Sequence, residues 1–314
     1  MKYAIISDIH GNFLALNSVL EDAQARGVGG YIIVGDYCLS NPFPDACITR
    51  IRNLENAHII RGNEERYLEN LIGKDQSAWT DGQMQISYWC YQNISFDNLE
   101  YLLALPTKID LVVNNVPVHI AHSSDEFIGK CEHASWGANI VAERYNNAFV
   151  SREQFREDIH DYLNNCKEFE DVFGNLAEGI YIFGHTHIQW RYQSTDGKKI
   201  LINPGSCGLP LDCIKEGMPY TILNLSDEGN IQIEEIRVPV DKEEYFSAIM
   251  QSTQFEKANV WCKVIMKELR TSREHLTFFL QFVEEYATQI GDIQRPYSVQ
   301  TWEKAYELWD AQLN

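Results

Sequence analysis

Gly184-His185-Thr186-His187 places two imidazoles one residue apart, and three motifs upstream complete it. Asp8-Ile9-His10-Gly11-Asn12, Gly35-Asp36 and Arg61-Gly62-Asn63-Glu64 each follow a short apolar run. Mixed carboxylate, imidazole and amide ligands suit Mn, Fe or Zn better than a thiolate-held structural zinc. Two divalent cations about 3.5–4 Å apart need one bridging carboxylate and separate ligands for each ion. Asp36 is the natural bridge. Asp8, His10 and His187 would complete one ion, and Asn63, His122 and His185 the other. The D-x-H and H-x-H spacings let two side chains of an extended loop point the same way. His119 is a rival to His122, but it lies inside a strand pattern and reads as a packed residue.

Such residues meet only if the chain brings their loops to one edge. Tyr3–Ile6, Tyr31–Val34, His58–Ile60 and Ile180–Phe183 read as strands, and Phe13–Arg26 carries apolar residues at helical spacing. Ligand groups of αβ units gather beyond the carboxyl ends of the strands. Helical stretches also fit Glu64–Ile72, Gly82–Asn93 and Asn98–Leu105. Ile109–Val113 and Val116–Ala121 flank Asn114-Asn115 as a hairpin, and a meander runs through Ile188–Gln193, Lys199–Ile202, Tyr220–Leu225 and Ile231–Val238. The expectation is two packed sheets with helices outside over residues 1–240. A helical insertion occupies about 124–176, and a helical extension covers 241–314, with Leu276, Phe279, Leu280, Val283 and Ala287 on one stripe.

Composition narrows the function. The 314 residues carry a net charge of −19, which phosphate backbones repel, so long DNA or RNA is an unlikely ligand class while a small phosphorylated molecule is not. No apolar run reaches the roughly 18 residues of a membrane span, and no signal segment opens the chain, so the expected location is cytoplasmic, with no membrane partner. The eight cysteines are scattered without a C-x-x-C pair and read as reduced core thiols.

Taken together, Asp8–Asn12, Gly35-Asp36, Gly62–Glu64, His122-Ser123 and Gly184–His187 resemble the motif set of the calcineurin-like metallophosphoesterase superfamily, over about residues 1–238. Asn203-Pro204-Gly205-Ser206 also looks like its pattern. The resemblance implies a four-layer αββα sandwich of two mixed sheets, a dinuclear centre and a metal-bound hydroxide that attacks phosphorus. It implies a catalytic set of Asp36, Asn63, His185 and Arg61. Arg61, Asn12 and His133 would contact the substrate, Arg61 through its planar fork. Two divalent cations against Asp8, Asp36 and a hydroxide leave a formal charge of about +1, so the cleft can oppose the acidic surface.

The chain departs from the family twice: Ser123 stands where a glycine is usual, and Glu64 stands where Ser/Thr phosphatases carry a histidine. A carboxyl beside two cations is a poor proton donor, which points to good leaving groups. The leading expectation is a phosphatase or dinucleoside-polyphosphate-type hydrolase of a small, nucleotide-like substrate. A phosphodiesterase, a phosphoprotein phosphatase and a non-catalytic scaffold of the same fold follow. Ser124–Leu176 is expected to select the substrate through Trp136, His133 and Arg144.

Overall fold

The computed structural model describes residues 1–129, 137–146 and 148–313. Ten strands run in chain order: β1 (Lys2–Ile6), β2 (Gly30–Ile33), β3 (Ala57–Ile59), β4 (Lys108–Val113), β5 (Val116–Ala121), β6 (Gly179–Ile182), β7 (Gln189–Gln193), β8 (Lys199–Pro204), β9 (Met218–Leu225) and β10 (Ile231–Val238). They form two five-stranded sheets, ordered β10-β9-β1-β2-β3 and β4-β5-β6-β8-β7. Each sheet holds a parallel triplet, β1-β2-β3 in one and β5-β6-β8 in the other. Antiparallel strands flank each triplet.

Period-two alternation decides which residues lie between the sheets. Ile5, Ile120, Ile180, Ile182, Ile202 and Leu223 belong to one buried cluster drawn from both sheets. Their strand neighbours Ala4, Ile6, Tyr181, Leu201 and Ile222 join the core beneath the outer helices. A strand buried on both faces reads as a continuous apolar run, as in Tyr3–Ile6 and Ile180–Phe183. The architecture is the expected αββα sandwich.

Helix Phe13–Ala25 buries Ala15, Leu16, Val19, Leu20 and Ala23. Apolar spacing does not announce helix Pro44–Arg52; it opens on a proline, which suits a first helical turn. The hairpin turn at Asn114 and Asn115 takes φ values of 49° and 64°, the left-handed pair a tight hairpin demands. Beyond β10 the chain is helical, in segments Lys242–Met250, Thr253–Lys257, Asn259–Thr271, Leu276–Ile290 and Val299–Leu313. Tyr245, Phe246, Ile265 and Leu269 pack into the main core. Phe279, Val283, Trp302 and Trp309 form a second cluster with Val260 and Val264. The described cysteines are free thiols, and all but Cys166 are buried. Among the described residues, no helix is long and apolar enough to cross a membrane.

Candidate metal centre

The loops after β1, β2, β3, β5 and β6 meet at one edge of the sandwich. Backbone bonds extend the β1–β2 pairing into them: Asp8 N–H donates to the Gly35 carbonyl at 3.1 Å and His10 N–H to that of Asp36 at 3.0 Å. The D-x-H and H-x-H segments are not extended. Asp8, His10, Asp36, His185 and His187 all have left-handed backbone, with φ between 51° and 69°. Non-glycine residues held there cost on the order of 1–3 kcal/mol each and cluster where function requires them. Two glycines make room for the carboxylates. A Cβ on Gly62 would overlap the Asp36 carboxylate, and one on Gly184 would overlap the Ser7 hydroxyl and the Asp8 carboxylate.

Two groups of donors result. Asp8, His10 and His187 form one, and Asp36, His122 and His185 the other. Asn63 joins the second, its Oδ1 lying 3.0 Å from His122 Nε2. Asp36 also groups with His10 and Glu64, so its carboxylate stands between the two sets. Asp36 Oδ2 is 3.2 Å from His122 Nε2, and Asp36 Oδ1 accepts the Glu64 N–H at 2.9 Å.

The proton arrangement tests whether cations fit. His187 Nδ1 donates to the Leu209 carbonyl at 2.8 Å, which leaves a lone pair on Nε2. Glu64 Oε2 lies 3.0 Å from His10 Nδ1 and orients that ring. The two Nε2 atoms nevertheless face each other at 2.9 Å. That contact needs either a proton on His10 Nε2, donated to His187, or a cation between the two nitrogens. His122 Nδ1 donates to the Val34 carbonyl at 2.6 Å, turning Nε2 toward the acceptor oxygens of Asp36 and Asn63. Asp8 Oδ1 lies 3.6 Å from His187 Nε2 and 4.0 Å from His10 Nε2. Ligand bonds near 2.1 Å put neighbouring donor atoms roughly 3.0–3.4 Å apart, close to these separations. The donor set fits divalent cations.

Electrostatics agree. Burial raises the Asp8 carboxyl to about 6, against the pull of His122. Burial also raises Glu64 well above the carboxylate range, with Asp36, Glu65 and Asp8 adding to it. Burial would lift Asp36 too, but His122 holds it well below that range. Burial lowers His122, but Asp36 overrides it and brings the imidazole up to about 10. Burial holds His185 down and His187 well down, so both are neutral and ready to ligate. A cation entering beside His122 therefore displaces a proton.

The other candidate residues have local partners in the fold. Asn12 caps helix Phe13–Ala25: its Oδ1 accepts the Ala15 N–H at 3.0 Å and its Nδ2 donates to the Gly208 carbonyl at 2.9 Å. That buried amide braces the loop against the start of the helix. Arg61 Nη1 lies 3.2 Å from Glu69. Arg144 pairs with Asp158 of its own insertion at 3.5 Å. His119 faces Asp110 at 2.6 Å across the β4–β5 pair and stacks on Tyr181, which removes it as a ligand. His133 and Trp136 lie outside the described residues.

Four supporting residues take roles that the sequence pattern does not show. Glu65, fully buried, accepts the N–H groups of Tyr37 at 2.9 Å, Gly62 at 2.7 Å and Asp36 at 3.3 Å. Asn203 donates to the Gly184 carbonyl and the Thr186 hydroxyl, and Ser206 to the Asp8 carbonyl. Glu64 holds His10, a role distinct from proton donation. The adjacent pair Glu64-Glu65 shows in the sequence as acidity at a helix start, but the acceptors' targets are set only by the fold. Partners that orient a ligand imidazole are worth about 10–100-fold in metal affinity. Glu64→Gln, which keeps an acceptor oxygen, is expected to cost about tenfold, and Glu64→Ala about 100-fold, in metal titrations of the purified protein. Equal affinity in Glu64→Ala and the parent would remove Glu64 from this role.

Comparison with known proteins agrees with this geometry. Residues 1–228 match the model of the calcineurin-like phosphoesterase superfamily domain. An uncharacterized protein of Methanocaldococcus jannaschii is 26% identical over 263 residues, covering 79% of this chain and 92% of that protein. A metallophosphoesterase from Sphaerobacter thermophilus superposes with a TM-score of 0.58 at 20% identity, covering 87% of this chain and 99% of the other. A hypothetical protein from Pyrococcus horikoshii OT3 gives 0.57 at 18% identity with the same coverage. The chain belongs to the calcineurin-like phosphoesterase superfamily and is a metallophosphoesterase, a hydrolase of phosphoric esters.

Proposed function

We propose that this chain is a phosphatase that hydrolyses monoesters of small phosphorylated molecules with two divalent ions, Mn, Fe or Zn, in its centre. The observation that carries this reading is the pair of donor groups, with Asp36 of the second also grouped with His10 of the first, beside a cleft of about 380 Å³. That size lies within the range of small-molecule sites. When bound, the ions would neutralise phosphoryl oxygens and activate a water.

The residues divide the remaining work. Asp8, His10 and His187 would hold one ion, and Asn63, His122 and His185 the other, with Asp36 shared. The Leu209 and Val34 carbonyls fix the tautomers of His187 and His122, and Glu64 orients the His10 ring. Glu64 is occupied by His10 and does not line the cleft, so leaving-group quality is not read from it.

The test is a metal-supplemented assay of an aryl phosphate monoester, the matching diester and a diadenosine polyphosphate, with metal analysis alongside. The monoester should turn over fastest, at about two metals per chain. Diester or polyphosphate turnover tenfold above the monoester would overturn the phosphatase reading, and a chain that takes up no metal would favour a scaffold.

A further inference from the structure

The cleft beside the centre is not built by the family domain alone. His185, Thr186 and His187 form one side, Ser123–Asp125 and Gly137–Asn139 another, and Glu274 and Thr277 close it. Those last two lie beyond the matched residues 1–228, Glu274 in the turn joining helix Asn259–Thr271 to helix Leu276–Ile290 and Thr277 in the first turn of the latter.

This turn is held firmly. Glu274 Oε1 accepts the Thr277 N–H at 2.7 Å. Behind it, buried Glu268 accepts the N–H groups of His275 and Leu276, each at 2.8 Å. The Ser272 carbonyl accepts the Cys213 N–H at 2.7 Å, tying the turn to a core loop. Glu274 is thus a fixed wall of the cleft rather than a loose surface carboxylate.

Apart from the two histidines of the centre, the ionisable groups among the described lining residues are Asp125 and Glu274, both acidic. The remaining polar groups there include the hydroxyls of Ser123, Ser124 and Thr277 and the amide of Asn139. We infer that the C-terminal extension supplies a specificity residue, Glu274, which with Asp125 selects phosphoric esters whose alcohol portion is cationic or neutral and hydroxylated. Anionic leaving groups are rejected, because like charges brought together in a cleft are costly. The inference rests on the phosphatase reading and narrows it. The phosphoryl group meets the metal side, while the alcohol meets a wall of opposite polarity.

The test uses the metal-loaded full chain and three esters: 2-aminoethyl phosphate, glycerol 2-phosphate and 3-phosphoglycerate. The quantity read is kcat/KM for the aminoethyl ester divided by that for the phosphoglycerate. The parent ratio should be at least about ten, with the glycerol ester between them. Glu274→Gln keeps the acceptor for Thr277 and should lower the ratio several-fold, and Glu274→Lys should invert it. Asp125→Lys, on the other side of the cleft, should lower the ratio too, which guards against a Glu274→Lys protein that fails to fold. A parent that prefers phosphoglycerate, or a ratio unmoved by Glu274→Gln and Asp125→Lys, would overturn the inference. If no ester turns over, an aryl phosphate included, it is the phosphatase reading that fails. Calorimetric binding of 2-aminoethylphosphonate against 3-phosphonopropionate then tests the same charge preference: tighter aminoethyl binding that Glu274→Gln weakens supports the wall, and equal binding rejects it.

Discussion

Asp36→Asn is expected to reduce hydrolysis of every phosphoric ester by more than about 1,000-fold and to lower metal content. The carboxylate stands between both donor groups, so its loss removes negative charge from between the two cations. It also removes the partner that sets the proton on His122, whose Nε2 lies 3.2 Å away. An amide keeps one acceptor for the Glu64 N–H, at 2.9 Å in the parent, so the loop should hold its shape. Groups that only orient a ligand cost about 10–100-fold when changed, so the size of the loss separates a ligand from its support. The check is kcat/KM together with elemental analysis of the same preparation. Activity within about threefold of the parent at equal metal occupancy would take Asp36 out of the bridging position.

The convergence of these aspartates and histidines was legible in the sequence because ligand chemistry restricts residue type. Aspartate and histidine after short apolar runs, repeated at several strand ends, rarely coincide unless they converge on a shared ion. The fold was legible for the same reason that it forms: Ile5, Ile120, Ile180 and Ile182 alternate with residues facing the helices, and period two is visible without a structure. The backbone of the motif loops was not legible. An extended D-x-H would aim both side chains one way, and the left-handed turns at Asp8 and His10 achieve that by another route. Nor could spacing show where Arg61 and Asn12 spend their hydrogen bonds. Arg61 meets Glu69 within its own loop and helix, and Asn12 caps the helix that its motif begins. The Glu274 wall was invisible for a different reason: nearly ninety residues separate it from His187, and only the docking of the C-terminal helices brings them to one cleft.

Glu65 carries the second large expectation. Its fully buried carboxylate joins the loop after β2, through Asp36 and Tyr37, to the loop after β3, through Gly62. Burial and the nearby Asp36 raise its pKa, which marks a group kept despite its electrostatic cost. Glu65→Ala would leave three amides without that acceptor in a space closed to solvent. Each buried donor left unsatisfied costs about 1–3 kcal/mol, so a loss of roughly 3–5 kcal/mol in unfolding free energy is expected. Glu65→Gln should fall between, because its oxygen can still accept while its NH2 meets an amide N–H that also donates. The strain at Asp36, whose φ is 54°, gives the loss a second reading. Strained backbone persists only where its surroundings over-determine it. Without the clamp Asp36 should relax, and metal affinity should fall even at temperatures where Glu65→Ala remains folded. Denaturant unfolding of the metal-free proteins measures the first effect, and metal titration of the folded variants the second. A Glu65→Ala protein within about 1 kcal/mol of the parent would show that water or a neighbouring group replaces the carboxylate. Unchanged metal affinity in a destabilised variant would show that the left-handed turn at Asp36 is held by its own loop.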